Sequence, residues 1–234
     1  MLLVESFGPS GSGKSYFKNK LIKKFSFKVF DYKSLYNLIG DRSFFFKLFY
    51  NFIKSSYLQK IKNTYLIRLI KKKKFRLIKF EYGKSIKKGS LLYKKYKSIK
   101  NLIQKSEFSN KKKKTIKNWA SEEIYANHYA KKIDYQKLLL DSEGLIQRLF
   151  IYCYKKKNKE QVIKEYLDMI ELPQLIIIFE KKIINKKNTF IIEKNEEEKI
   201  FKLTLSELKK RKILIVNSKI GVNKSYLKIK KKLK

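Results

Sequence analysis

Gly8-Pro9-Ser10-Gly11-Ser12-Gly13-Lys14-Ser15 completes the pattern G-x-x-x-x-G-K-[ST], and it follows at once on the apolar stretch Met1 to Phe7. The pattern has a mechanical meaning. Between a strand and a helix, the backbone amides of Gly11, Ser12, Gly13 and Lys14 can turn inward around a phosphate, which the positive end of the helix also attracts. Lys14 then reaches the β- and γ-phosphates and the Ser15 hydroxyl ligates magnesium, with Gly8, Pro9 and Ser10 forming the entry to the same nucleotide-binding loop. Given the frequencies of glycine, lysine and hydroxyl residues in this chain, chance supplies such a match about once in 200 sequences of this length.

The flanks agree with the loop. Leu2-Leu3-Val4-Glu5-Ser6-Phe7 is short and mostly apolar, as a buried central strand requires. From Lys14 to Phe25 the residues Phe17, Leu21 and Phe25 recur at four-residue spacing with lysines opposite, which predicts a helix packed by one face. A charged leader and a long apolar segment before a small-residue cleavage site are both missing, so no secretory leader is expected.

The length of 234 residues suits one α/β domain with a sizeable core, and no Pro/Gly/Ser-rich linker divides it; a single domain over residues 1–234 is expected. Cys153 has no second cysteine to pair with, and neither it nor His128 shows metal-ligand spacing. No apolar run approaches the roughly 20 residues that cross a bilayer, so a cytoplasmic location without a transmembrane segment is expected.

The net charge of +39 invites a nucleic-acid partner. Composition argues against selecting that reading. Of 59 basic residues only 5 are arginine, while lysine, isoleucine, asparagine, phenylalanine and tyrosine, the residues of AT-rich codons, abound. Arginine is the preferred reader of phosphate and of guanine edges, so nucleic acid stands as a possible but not favoured partner. Runs such as Lys71 to Lys74, Lys111 to Lys114 and Lys230 to Lys232 read as solvated faces.

Further along, Phe27-Lys28-Val29-Phe30-Asp31 alternates as a second strand ending at an acid. A long tract with helical periodicity follows, at about 40–133, in segments Phe44 to Ile53, Tyr57 to Ile70, Leu91 to Ile103 and Ile116 to Lys132. So long a tract is not a loop; it predicts inserted helices packed on the sheet or forming a lid, with Phe44 to Phe49 in core packing rather than on a membrane surface. The third strand, Lys137-Leu138-Leu139-Leu140-Asp141, ends in a carboxylate placed beside the first strand to hold magnesium directly or through water. Gly144 then permits close phosphate approach, and Gln147 and Arg148 are carried inward or outward together by the following helix. Pro173 introduces a fourth strand, Leu175 to Phe179, and Ile213 to Asn217 forms a fifth. A helix is expected around Phe201 to Lys210, and the segment Lys224 to Lys234 reads as a helix with Tyr226, Leu227 and Ile229 partly buried or as a frayed tail.

This order of parts resembles the nucleoside and nucleotide kinase branch of P-loop proteins, thymidylate kinase and the deoxynucleoside kinases above all. The resemblance implies a three-layer α/β sandwich with a five-stranded parallel sheet in the order 2-3-1-4-5 and a helical insertion between strands 2 and 3. It also implies ATP and Mg²⁺, with transfer of the γ-phosphoryl group to a small-molecule acceptor such as a nucleoside, nucleotide or sugar. On that comparison Asp141 joins the metal shell, Glu143 or Asp31 serves the acceptor hydroxyl as base or orienter, Arg148 is a further cation, and Asn217 and Ser218 fall where such enzymes contact the adenine or close the base pocket. Three positions depart from the family pattern. Ser142 stands where an arginine is usual, Gln174 replaces an acid before the fourth strand, and lysines take the place of an arginine-rich lid.

The rival reading is a P-loop ATPase or GTPase acting as a nucleotide-driven switch or with nucleic acid. Asp141-Ser142-Glu143-Gly144 satisfies the D-x-x-G pattern, but it lies much farther from the loop than in GTPases. Asn158-Lys159-Glu160-Gln161 lacks the final acid of a guanine-reading N-K-x-D.

Overall fold

β1 (Leu2–Phe7) is buried along its whole length, which requires a neighbour on each edge and a layer on each face. The computed structural model describes residues 2–26, 29, 91–106, 108–132, 138–141, 144–180 and 192–233, and supplies both. β2 (Leu138–Asp141) pairs with one edge of β1 and β3 (Leu175–Ile178) with the other, both parallel to it. β4 (Leu214–Asn217) adds to β3, again parallel, so the order is β2-β1-β3-β4.

Among the described residues the sheet therefore has four strands, not the five expected. The expected second strand, Phe27 to Asp31, lies outside the described residues except for Val29, as do the helical segments Phe44 to Ile53 and Tyr57 to Ile70. The remaining four follow one another across the sheet as anticipated, because each is a short apolar run that a parallel sheet can bury on both faces.

Alternation along β1 sends Leu2 and Val4 to one face and Phe7 to the other. The first face is covered by α1 (Lys14–Ile22) and α7 (Gly221–Leu233). Leu21 and Ile229 are fully buried there, and Phe25 meets Tyr226 edge-on with centroids 4.9 Å apart. α1 ends at Ile22 rather than Phe25, because the next amides turn back in three-residue steps, Lys24 to Leu21 and Phe25 to Ile22. The C-terminal segment is a helix, not a frayed tail; Ile229 anchors it, whereas Leu227 points outward at 61% exposure.

The second face carries α2 (Leu91–Gln104), α3 (Asn110–Lys132), α4 (Leu149–Tyr152), α5 (Lys159–Met169) and α6 (Lys194–Lys209). α2 and α3 are the described part of the expected helical insertion. They pack through Tyr96, Ile99 and Ile103 against Ile116, Ala120 and Ile124, with the Tyr96 and Ser121 hydroxyls 2.9 Å apart. α6 begins at Lys194, well before Phe201. Its first turn holds Glu196 and Glu197, which favour the positive end of the helix, and Lys209 sits at the other end. No helix among the described residues is long and apolar enough to cross a membrane.

Candidate functional site

Because all four strands run parallel, Phe7, Asp141, Ile178 and Asn217 end on one rim of the sheet, where open α/β sheets bind ligands. The phosphate loop Gly8 to Ser15 leaves β1 at that rim and enters α1. Gly11 and Gly13 have φ of 77° and 86°, in the left-handed region where a side chain is strained, and Gly13 caps α1. Lys14 is 6% exposed, and its ammonium donates to the carbonyl oxygens of Gly8 and Pro9, each at 2.8 Å. The Ser12 hydroxyl is buried without a hydrogen-bond partner, while Ser15 is exposed on the first turn of α1. These are the features a phosphate requires: amides at a helix start, a cation inside the loop and a hydroxyl open to a metal.

Two side chains from distant parts of the chain grip the loop. Gln147 Oε1 accepts from the Gly8 amide at 3.2 Å, and its Nε2 donates to the Gly8 carbonyl at 2.9 Å. The Gln147 amide in turn donates to Glu5 Oε1 at 3.1 Å. Glu5 is 3% exposed, and a methyl group on Gly144 would come within 2.5 Å of its carboxyl carbon. Gly144 therefore makes room for Glu5, which corrects the expectation that it admits a phosphate. On the other side Glu197, at the start of α6, accepts from the Ser10 amide at 2.8 Å and is 5% exposed. One turn later Phe201 stacks on Phe7 at 5.3 Å, and Phe7 stacks on Phe150 at 5.2 Å, which fixes the helix over the end of β1.

The other expected residues divide. Asp141 closes β2 directly opposite Glu5 in the register, on the strand beside the loop. Arg148 and Gln147 are not carried together. They lie in a 3₁₀ turn, Ile146–Arg148, whose residues are about 120° apart. Gln147 reaches Gly8, while the Arg148 guanidinium covers Trp119 of α3 at 5.0 Å. Asn217 stands at the end of β4, two strands from β1, where its Nδ2 donates to Glu180 Oε1 at 2.8 Å and its Oδ1 accepts from the Lys219 amide. Asp31 and Glu143 lie outside the described residues, as does the lysine-rich stretch at 181–187.

Glu5 and Glu197 were missed as site residues, and each had a signal. Glu5 is an acid inside an apolar strand. Glu197 falls on the same helix stripe as Ile200, Thr204 and Leu208, all fully buried. Cys153 is near this region but inert, since burial pushes its thiol up to about 12, against the smaller opposing pull of Lys159. Lys159 is itself paired with Glu196 at 3.1 Å. Among the described residues no group of three or more His, Cys, Asp or Glu converges as a metal cage. No protein-family model, curated protein or solved structure matches the chain, so the loop and the sheet that carries it are the basis for a functional assignment.

Proposed function

We infer that the chain is a P-loop kinase that transfers the γ-phosphoryl group of ATP, with Mg²⁺, to a small-molecule acceptor such as a nucleoside, nucleotide or sugar. One observation carries the reading: a complete phosphate loop joins the central strand to a helix at the carboxyl rim of a parallel sheet, with its lysine inside. The same reading takes the strand order β2-β1-β3-β4 as the 3-1-4-5 part of the order that the nucleoside and nucleotide kinases imply. It takes residues 1–234 as a single cytoplasmic domain, with the acceptor bound under the insertion at about 40–133.

Phosphoryl transfer asks chiefly for positioning and charge neutralisation. The amides of Gly11 to Lys14 hold the phosphates, and Lys14 offsets their charge. Bound Mg²⁺ would supply further charge neutralisation, held by Ser15 and Asp141; magnesium commonly takes few protein ligands and leaves its other positions to phosphate and water. Glu143 or Asp31 receives the proton of the acceptor hydroxyl. Arg148, expected to be a further cation, instead ties α3 through Trp119 to the turn that bears Gln147.

Labelled ATP and Mg²⁺, incubated with a panel of acceptors, test the proposal. Label on one acceptor class is the expected result. Tight and exclusive binding of GTP without transfer would favour the switch. ATP hydrolysis stimulated by RNA or DNA and lost steeply with salt would favour a nucleic-acid-associated ATPase.

A further inference from the structure

Glu197 is an unusual neighbour for a phosphate loop. Such loops surround an anion with donors, yet here a carboxylate stands inside the loop's own hydrogen-bond framework, 2.8 Å from the Ser10 amide and 5% exposed. Packing of its helix holds it there. The next turn of α6 is anchored by Ile200, fully buried, and by Phe201 stacked on Phe7. The adjacent Glu196 is matched by Lys159, whereas the charge of Glu197 is directed at the loop. Lys14, whose ammonium binds the carbonyls of Gly8 and Pro9, lies on the same few residues of backbone.

We propose that Glu197 shifts the preference of the phosphate loop toward the magnesium complex of a nucleoside triphosphate and away from the metal-free nucleotide. The inference rests on the nucleotide-binding reading of the loop and deepens it. Coulomb repulsion is linear in charge, so a carboxylate beside the loop opposes the metal-free tetra-anion about twice as strongly as the magnesium-bound dianion, and low solvent exposure limits screening of the difference. By the same linearity Lys14 favours the tetra-anion, and Glu197 opposes that preference. The carboxylate also keeps the Ser10 amide in register, and it is a positioning residue, not a group that touches the reacting atoms.

The experiment measures dissociation constants for ATP and for GTP, each with excess Mg²⁺ and with excess EDTA, for the wild type, Glu197→Gln and Glu197→Ala. Glutamine keeps an oxygen for the Ser10 amide and removes the charge. In Glu197→Gln the ratio of metal-free to metal-loaded dissociation constants should fall about tenfold, chiefly because the metal-free nucleotide binds more tightly. Hydrogen exchange at the Ser10 amide separates the two roles: protection should persist in Glu197→Gln and fall in Glu197→Ala. A merely structural role would weaken both nucleotide forms together and leave the ratio unchanged, which would overturn the proposal while leaving the phosphate loop intact. A folded wild type that binds neither nucleotide in either condition would overturn the reading of the loop and this inference with it.

Discussion

Two carboxamides grip the two ends of β1, and their settings differ. At the amino end Gln174 Oε1 accepts from the Leu3 backbone amide at 2.7 Å, and the backbone N–H of Gln174 donates to the Leu3 carbonyl at 3.1 Å. β3 begins one residue later, so the side chain extends the ladder where strand pairing has not yet started. At the carboxyl end Gln147 embraces Gly8 through both its amide atoms, and Gly8 opens the phosphate loop. The same chemical group therefore completes a sheet at one end and positions the glycine-rich loop at the other. A buried backbone amide left without its partner costs stability anywhere, but only at the carboxyl rim does its displacement also reach the ligand.

The largest effect is expected from Lys14→Ala, which should lower ATP affinity or turnover by about 100-fold or more with the circular dichroism spectrum unchanged. Retained activity in that variant would remove the functional meaning of the carboxyl end altogether. Asp141→Asn comes next. It should raise the Mg²⁺ concentration for half-maximal activity about tenfold, and an unaltered metal requirement would place the magnesium acid elsewhere than β2.

The two glutamines sharpen the contrast directly. Gln174→Ala should lose about 1–2 kcal/mol in denaturant unfolding and bind ATP as the wild type does. Gln147→Ala should lose about tenfold in ATP affinity at a stability cost of about 1 kcal/mol or less. Equal losses of both kinds in both variants would erase the distinction between the two ends.

The last effect lies away from both and vanishes at neutral pH. Burial raises the Cys153 thiol from an ordinary 9.0 to about 12, so the native state keeps its proton where the unfolded chain has released it. The unfolded state then binds fewer protons, and this group's contribution to stability declines by up to ~1.4 kcal/mol per pH unit as pH rises from about 9 toward 12. Unfolding measured across that range should show a steeper decline for the wild type than for Cys153→Ala. Thiol reagents at neutral pH should label the protein only once it is unfolded.

Much of this architecture could be read along the chain. The phosphate loop, the central strand and the apolar runs of β2, β3 and β4 announced themselves through composition within a few residues. α2 and α3 followed from helical spacing. The start of α6 did not, because Glu196, Glu197 and Glu198 are an acidic run without an apolar period, whereas the middle one belongs to the buried stripe of the helix. Gln147 and Arg148 were expected to point together; the 3₁₀ turn separated them, one toward Gly8 and the other toward Trp119. Asn217 ends β4 as its apolar run implied, but its bonds run to Glu180 and Lys219, contacts that no local pattern encodes.

By itself the sequence determined that a glycine-rich turn ending in Lys14 and Ser15 leaves a buried strand and enters a helix, since glycines, a lysine and a serine at fixed spacing act on their own neighbours. Tertiary structure alone decided what holds that turn. The Gln147 and Glu197 contacts with Gly8 and Ser10 join residues 139 and 187 positions apart. Such bonds carry no periodicity along the chain. They exist because parallel pairing gathers the carboxyl ends of the strands on one rim, and the stacking of Phe7 on Phe150 and Phe201 fixes which side chains of the covering layer meet the loop there.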